Sequence, residues 1–221
     1  MGDGTGGGGT SGDGSTGRRA TIDDTGALRQ VYGQPAEVTQ KKVLDRLDAH
    51  CRRFIALSPF LTIASTGTTG TDCSPRGDEP GFVHVVDAST LLLPDRRGNN
   101  ILDTLQNVLE RPDVALLFLV PGLNETLRVN GKARIVTDPA VLQSMAVKGR
   151  IVPGSALEIT VEQVYFHCGR SLLRADLWNP DKRVAREDFP RLGTILADQI
   201  EGVDAEATND RLEVAYTTNL Y

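Results

Sequence analysis

The 221-residue sequence has no apolar run approaching the roughly 20 residues that a membrane-spanning helix needs. Its first residues show no apolar stretch of the kind a secretory signal carries. Both absences lead us to expect a cytoplasmic protein with no membrane partner. Cysteine is scarce: Cys51, Cys73 and Cys168 form an odd set with no C-x-x-C spacing. That argues against a disulfide framework and fits a reducing compartment. Two of the three follow a histidine, at His50-Cys51 and His167-Cys168. Adjacent side chains diverge on a helix or strand, so each pair supplies one metal ligand more easily than two. No metal is expected, and the cysteines read as buried small hydrophobes. A basic excess is also missing. Lys and Arg number 24 against 29 Asp and Glu, a net charge of −5, so nucleic-acid binding is not the default. The sequence has no G-x-S-x-G elbow and no Walker loop. Spacing therefore assembles no nucleophile with its base.

Hydrophobic residues make up 39% of the chain, enough for one real core. Residues 1–20 are almost all Gly, Ser, Thr and Asp, ending in Arg18-Arg19. Such a composition cannot offset chain entropy, so a disordered tail is expected there. The tail satisfies G-x-G-x-x-G at Gly2, Gly4 and Gly7, but without a strand before it or a helix after it. Residues 28–35 read as a short connector. Val43, Leu44, Leu47, Cys51, Phe54, Ile55 and Leu57 predict an amphipathic helix from Glu37 to about Leu57, stopped by Ser58-Pro59.

The period then changes. Phe60–Thr66 and Thr71–Arg76 read as a hairpin, and Phe82–Val86 with Thr90–Leu93 as a second strand pair. Asn99–Glu110 predicts a helix with Ile101, Leu102, Leu105, Val108 and Leu109 on one side. Val114–Val120 is nearly all apolar, as in a strand buried on both faces. Thr126–Val136 and Ala156–Cys168 read as long strands, with helices over Pro139–Gly149 and about Leu192–Ile200. The crossover rhythm of a parallel sheet is missing. The expectation is a mostly β fold with flanking helices, an antiparallel closed or split β-barrel over about residues 21–200. Residues 201–221 end in Tyr216-Thr217-Thr218-Asn219-Leu220-Tyr221 and read as a docking tail, on a surface such as that of a partner subunit.

Four polar groups carry possible chemistry. Cys73-Ser74-Pro75-Arg76-Gly77-Asp78-Glu79-Pro80-Gly81 lies at the end of a strand and offers a hydroxyl and a guanidinium fork. The plainer alternative is a strand-end loop with a surface arginine. Pro94-Asp95-Arg96-Arg97-Gly98-Asn99-Asn100 lies just ahead of the predicted helix, where backbone N–H groups and two cations suit a phosphate. Asn99 could equally be a plain N-cap. Arg128, Asn130, Lys132 and Arg134 share one strand face, which is equally the solvent face of a barrel. His167, Arg170, Arg174 and Trp178 cluster after the last strand; a core Trp with surface cations is the alternative. Phosphate-binding groups without a nucleophile leave the difficult chemistry to a cofactor.

In order, Phe60–Ser65, the Ser74-Pro75-Arg76-Gly77-Asp78 run, Leu91–Arg96, Gly98-Asn99-Asn100, Arg111–Phe118 and Leu127–Ala133 with its central Gly131 resemble the pyridoxamine 5′-phosphate oxidase-like FMN split barrels. The likeness is to an uncharacterised bacterial FMN-dependent branch, and it covers roughly residues 28–200. It implies FMN in a groove between two subunits of a homodimer. By position, Ser74, Arg76 and Gly77 would face the flavin, and Pro94 and Asp95 the ring or ribityl. Arg96, Arg97, Gly98, Asn99 and Asn100 would form the phosphate turn, with Arg174 and Trp178 closing the site. The resemblance implies an FMN-dependent oxidoreductase moving hydride through flavin N5, with Arg76 or Arg174 offsetting negative charge and a donor such as NAD(P)H. The substrate is not implied. True pyridoxamine phosphate oxidases carry R-x-V-L-L-K where this chain has Ser74–Asp78, so vitamin B6 oxidation is not expected. The alternative is a non-catalytic flavin, deazaflavin or haem binding protein of the same fold.

Overall fold

The computed structural model describes residues 1–2, 20–218 and 220–221. The expected disordered tail therefore lies almost wholly outside the described residues. The chain divides into two compact units, Met1–Gln40 and Lys41–Tyr221. In the first, α1 (Thr25–Tyr32) occupies part of what reads as a connector in the sequence. Asp24 caps it, accepting from the Ala27 N–H at 2.8 Å, and Gly33 ends it at φ +67°. Next comes α2 (Glu37–Lys41).

The single helix expected from Glu37 to Leu57 is broken. Between α2 and α3 (Ala49–Leu57), Leu44 pairs with Val164 as an antiparallel bridge. Asp48 then caps α3, accepting from the Cys51 N–H at 2.8 Å. The apolar spacing runs through the break although Val43 and Leu44 are exposed; of that run only Leu47, Cys51, Phe54 and Ile55 are buried. It could not report that the backbone pairs elsewhere.

The other elements of the second unit are β1 (Phe60–Gly67), β2 (Gly70–Gly77), β3 (His84–Val85), β4 (Thr90–Asp95), α4 (Asp103–Glu110), β5 (Asp113–Leu119), β6 (Thr126–Val136), α5 (Pro139–Ser144) and β7 (Ser155–His167). Helices α6 (Arg170–Ala175), α7 (Leu192–Gln199) and α8 (Ala205–Thr218) follow. Among the described residues the strands form one sheet in the order β2-β1-β5-β6-β7-β4-β3, every pair antiparallel. Edge position explains how β2 tolerates Pro75, which has no N–H to give a second neighbour. Alternate residues of β1, β4, β5, β6 and β7 meet in one core, with Leu61, Ile63, Leu91, Phe118, Leu127, Val129 and Ile159 fully buried. Cys51, Phe54 and Ile55 of α3 join that core. Within the chain β5 is buried on one face only: Val114, Leu116 and Phe118 are buried, and Ala115, Leu117 and Leu119 are half-exposed.

Two glycines set the local geometry. The β6–β7 register shifts at Asn130/Gly131, and a Cβ on Gly131 would run into the Thr160 carbonyl. At the end of β1, a Cβ on Gly67 would run into the Asn107 side chain. That space lets the buried Asn107 amide donate to Ser65 Oγ at 3.1 Å and Asp72 Oδ2 at 2.7 Å, tying α4 across the β1–β2 hairpin. Of the cysteines, Cys51 is buried as expected and its thiol is pushed up to about 11 by burial and by Asp48. Cys73 and Cys168 are exposed, contrary to the expectation of three buried hydrophobes. Edge position puts Cys73 outside the core, and Cys168 lies past the end of β7. Among the described residues no helix is long and apolar enough to cross a membrane, and no three His, Cys, Asp or Glu gather as metal ligands.

Candidate functional site

A cleft of about 850 Å³ opens where β2 ends, β4 runs into α4 and the 151–154 loop leads into β7. Ten of the twelve residues singled out in the sequence line it: Ser74, Arg76, Gly77, Pro94, Asp95, Arg96, Arg97, Gly98, Asn99 and Asn100. They come from two segments that do not pair with each other, β2 and β4 lying far apart in the sheet order.

The β4–α4 connection is longer than the sequence suggests. Helix α4 starts at Asp103, four residues later than expected, and Asn99 is not its cap. Instead Asn99 Oδ1 accepts from the Ile101 N–H at 3.1 Å in a local turn. Asn100 and Leu102 have φ of +59° and +67°, the left-handed region, which is unusual for a leucine. The hydrophobic spacing failed here because Ile101 and Leu102 face the cleft and solvent, not the core.

Two hydrogen-bonded groups line the cleft. In the first, buried Thr104 of α4 accepts from Arg76 Nη2 at 3.3 Å and donates to Ser74 Oγ at 3.3 Å. Arg76 also reaches the Pro75 carbonyl at 2.9 Å, so its guanidinium is fixed on the cleft wall. In the second, Asp78 accepts from Arg96 Nε at 2.7 Å, from the Tyr221 hydroxyl at 2.8 Å and from the Glu79 N–H at 2.8 Å. Arg96 also donates to the Met145 carbonyl at 3.0 Å. Arg96 is therefore held between Asp78 and Met145, whereas exposed Arg97 has no partner among the described residues.

Asp95 in the cleft wall and Asp78 behind it are pushed in opposite directions. Burial raises Asp95 above its usual range, and the nearby Arg76 charge only partly opposes it. Burial raises Asp78 too, but hydrogen bonds from Glu79, Tyr221 and Arg96 outweigh it, and the group ends below its usual value. Burial also lowers His84, helped by the positive charge of Arg96.

Arg174 and Trp178 do not line this cleft within one chain. Trp178 borders a second, smaller cleft of about 250 Å³ with Leu172, Leu173 and Leu177, and its indole N–H donates to the Leu123 carbonyl at 2.8 Å. Arg174 lies on α6, which contributes Leu172 and Leu173 to that second cleft. The Arg128, Asn130, Lys132, Arg134 face is a solvated ladder. Its members bond Tyr165, Gln163, Asp113 and Glu158. Sequence reasoning missed Thr104, Phe82, Ile151–Gly154 and Tyr221, all of which line the main cleft. Asp78 was in view as the last residue of the Ser74–Asp78 run, and its charge beside Arg96 is the signal that could have placed it.

The family profile described as pyridoxamine 5′-phosphate oxidase matches residues 47–168, more than half of the chain. The chain belongs to the pyridoxamine 5′-phosphate oxidase family. No curated protein matches the sequence. Among solved structures, HupZ of Group A Streptococcus aligns at 18% identity and a TM-score of 0.45, covering 53% of this chain and 91% of that one. An FMN-binding protein of Syntrophomonas wolfei aligns at 12% identity and a TM-score of 0.42, covering 52% and 82%. An FAD binding protein of Mycobacterium smegmatis aligns at 17% identity and a TM-score of 0.39, covering 56% and 97%.

Proposed function

We propose that the chain is a flavoprotein that binds FMN in the 850 Å³ cleft as a homodimer and acts as an FMN-dependent oxidoreductase. The observation that carries this reading is the convergence of Ser74, Arg76, Gly77 and Pro94–Asn100 on one cleft in a member of this family. The cleft volume falls in the range of about 300–1,000 Å³ usual for small-molecule sites.

The residues present fit the group. Arg97, cationic and unpartnered among the described residues, suits a phosphate together with the backbone N–H groups and amides of Asn99 and Asn100. Phe82, Ile151, Val152 and Pro153 supply apolar wall for a flat ring. Arg76, locked by Thr104 and the Pro75 carbonyl, presents a fixed positive charge in a partly buried place. Asp95 is half-buried there and holds its proton more readily than an exposed carboxylate. Bound FMN would supply the two-electron chemistry that these side chains lack.

A homodimer fits the surface left uncovered. Phe60 and Leu119 face out from the sheet, and Leu173, Leu177, Val184 and Phe189 are exposed beyond β7. A second copy could cover these side chains and bring Arg174 and Trp178 to its partner's cleft. The test is direct: denature the purified protein and identify what it releases. One FMN per chain supports the reading. A chain that releases no flavin, and takes up none when FMN is added, overturns it.

A further inference from the structure

The residue that shapes this cleft from farthest away in sequence is Tyr221. Its hydroxyl donates to Asp78 Oδ1 at 2.8 Å across 143 residues, and with Leu220 it lines the cleft beside Ile151, Val152 and Pro153. The anchor is firm. The Asp78 side chain is only 2% exposed and is charge-paired with Arg96 at 2.7 Å. A phenol whose one polar atom is satisfied in this way leaves its ring as an apolar face. The polar group of Ser74, Thr104 and Arg76, with Arg97, supplies the charged part of the same cleft, and Tyr221 adds to its flat apolar part.

We propose that Tyr221 is a ring-contact residue of the cleft: it packs against the isoalloxazine of the bound flavin, and Asp78 is the positioning residue that sets it there. The inference rests on the flavin reading above and assigns to one residue the recognition of the ring, as distinct from the phosphate. A ring contact is felt equally by FMN and by riboflavin, which lacks the phosphate, whereas a phosphate contact is felt by FMN alone.

The experiment is a titration of full-length unaltered chain, Tyr221→Leu, Tyr221→Phe and Arg97→Ala with FMN and with riboflavin, alongside the thermal midpoint of each apo protein. Loss of an aromatic stacking partner is expected to weaken both flavins by about ten-fold in Tyr221→Leu. Tyr221→Phe keeps the ring and loses the anchor, so it should weaken both by less. Arg97→Ala should weaken FMN alone. Equal affinity of Tyr221→Leu and the unaltered chain for both flavins overturns the proposal. So does tighter binding by Tyr221→Leu, which would show that the side chain occupies the ligand's place. A loss restricted to FMN would place Tyr221 at the phosphate and overturn the ring contact. Failure of the unaltered chain to bind either flavin overturns the flavin reading itself, and this inference with it.

Discussion

Asp78 and Arg96 form a 2.7 Å ion pair whose side chains are 2% and 18% exposed, joining the end of β2 to the residue just past β4. Removing one partner of a mostly buried pair leaves the other uncompensated. Asp78→Ala should therefore destabilise the fold by about 3 kcal/mol. Arg97→Ala removes an exposed side chain with no partner among the described residues and should change stability by less than about 0.5 kcal/mol. Urea denaturation of the apo proteins measures both.

The same arginines divide differently in binding. Arg96 is held by Asp78 and the Met145 carbonyl, and Arg97 has no partner among the described residues. Arg97→Ala should weaken FMN by about ten- to a hundred-fold and leave riboflavin unchanged, as expected for one charge-assisted contact to phosphate. Arg96→Ala should weaken both flavins together, because it disturbs Asp78 and the cleft wall. Equal behaviour of the two variants would show that the internal pairing does not decide which arginine meets the phosphate.

Acid should separate Asp78, behind the cleft wall, from Asp95, which lines the cleft. The folded-state value of Asp78 is lowered, so its contribution is fully present above the ordinary 3.8 and is lost as pH falls through the lower folded value. The stability gap between the unaltered chain and Asp78→Asn should narrow in that acid range. Asp95 has the opposite sign. Its folded-state value is raised, so its charge costs stability once pH rises above 3.8. Asp95→Asn should be more stable than the unaltered chain near neutrality, and the gain should vanish below about pH 4. Denaturation midpoints across the acid range check both signs.

Strand β6 was legible because its residues alternate cleanly, whereas nearly all-apolar β5 reads as buried on both faces and is buried on one. Leu127, Val129 and Ala133 face in while Arg128, Lys132 and Arg134 face out, and a period of two cannot be mistaken over eleven residues. The cleft was legible where its residues are contiguous, from Pro94 to Asn100. It was not legible where spacing misled or distance intervened. Ile101 and Leu102 fit the helical pattern yet lie outside α4, since nothing in their type announces a left-handed backbone at Leu102. Thr104 lines the cleft and bonds Ser74 and Arg76 across about 30 residues of sequence, a contact that local spacing does not report. Tyr221 meets Asp78 through tertiary packing that no local pattern encodes.

Gly131 tests the framework under the site. A Cβ there meets the Thr160 carbonyl, which is backbone and cannot swing aside. Gly131→Ala should therefore separate β6 from β7 locally and cost about 2–3 kcal/mol. Gly98→Ala, where a Cβ meets nothing, is the control and should be near neutral. Amide exchange at Val161 and Ala133 should accelerate in the first variant only.

The half-exposed face of β5 predicts a dimer. Sedimentation equilibrium at micromolar concentration should give twice the 23.8 kDa chain mass. Charged substitutions at Leu117 and Leu119 together should shift the protein to monomer without unfolding it.

A crystal structure of the chain grown with FMN would show where the flavin binds. FMN is expected in the cleft, its phosphate on Arg97, Asn99 and Asn100 and its ring between Arg76 and Tyr221. FMN bound away from these residues, or a cleft left empty at saturating FMN, would contradict this expectation.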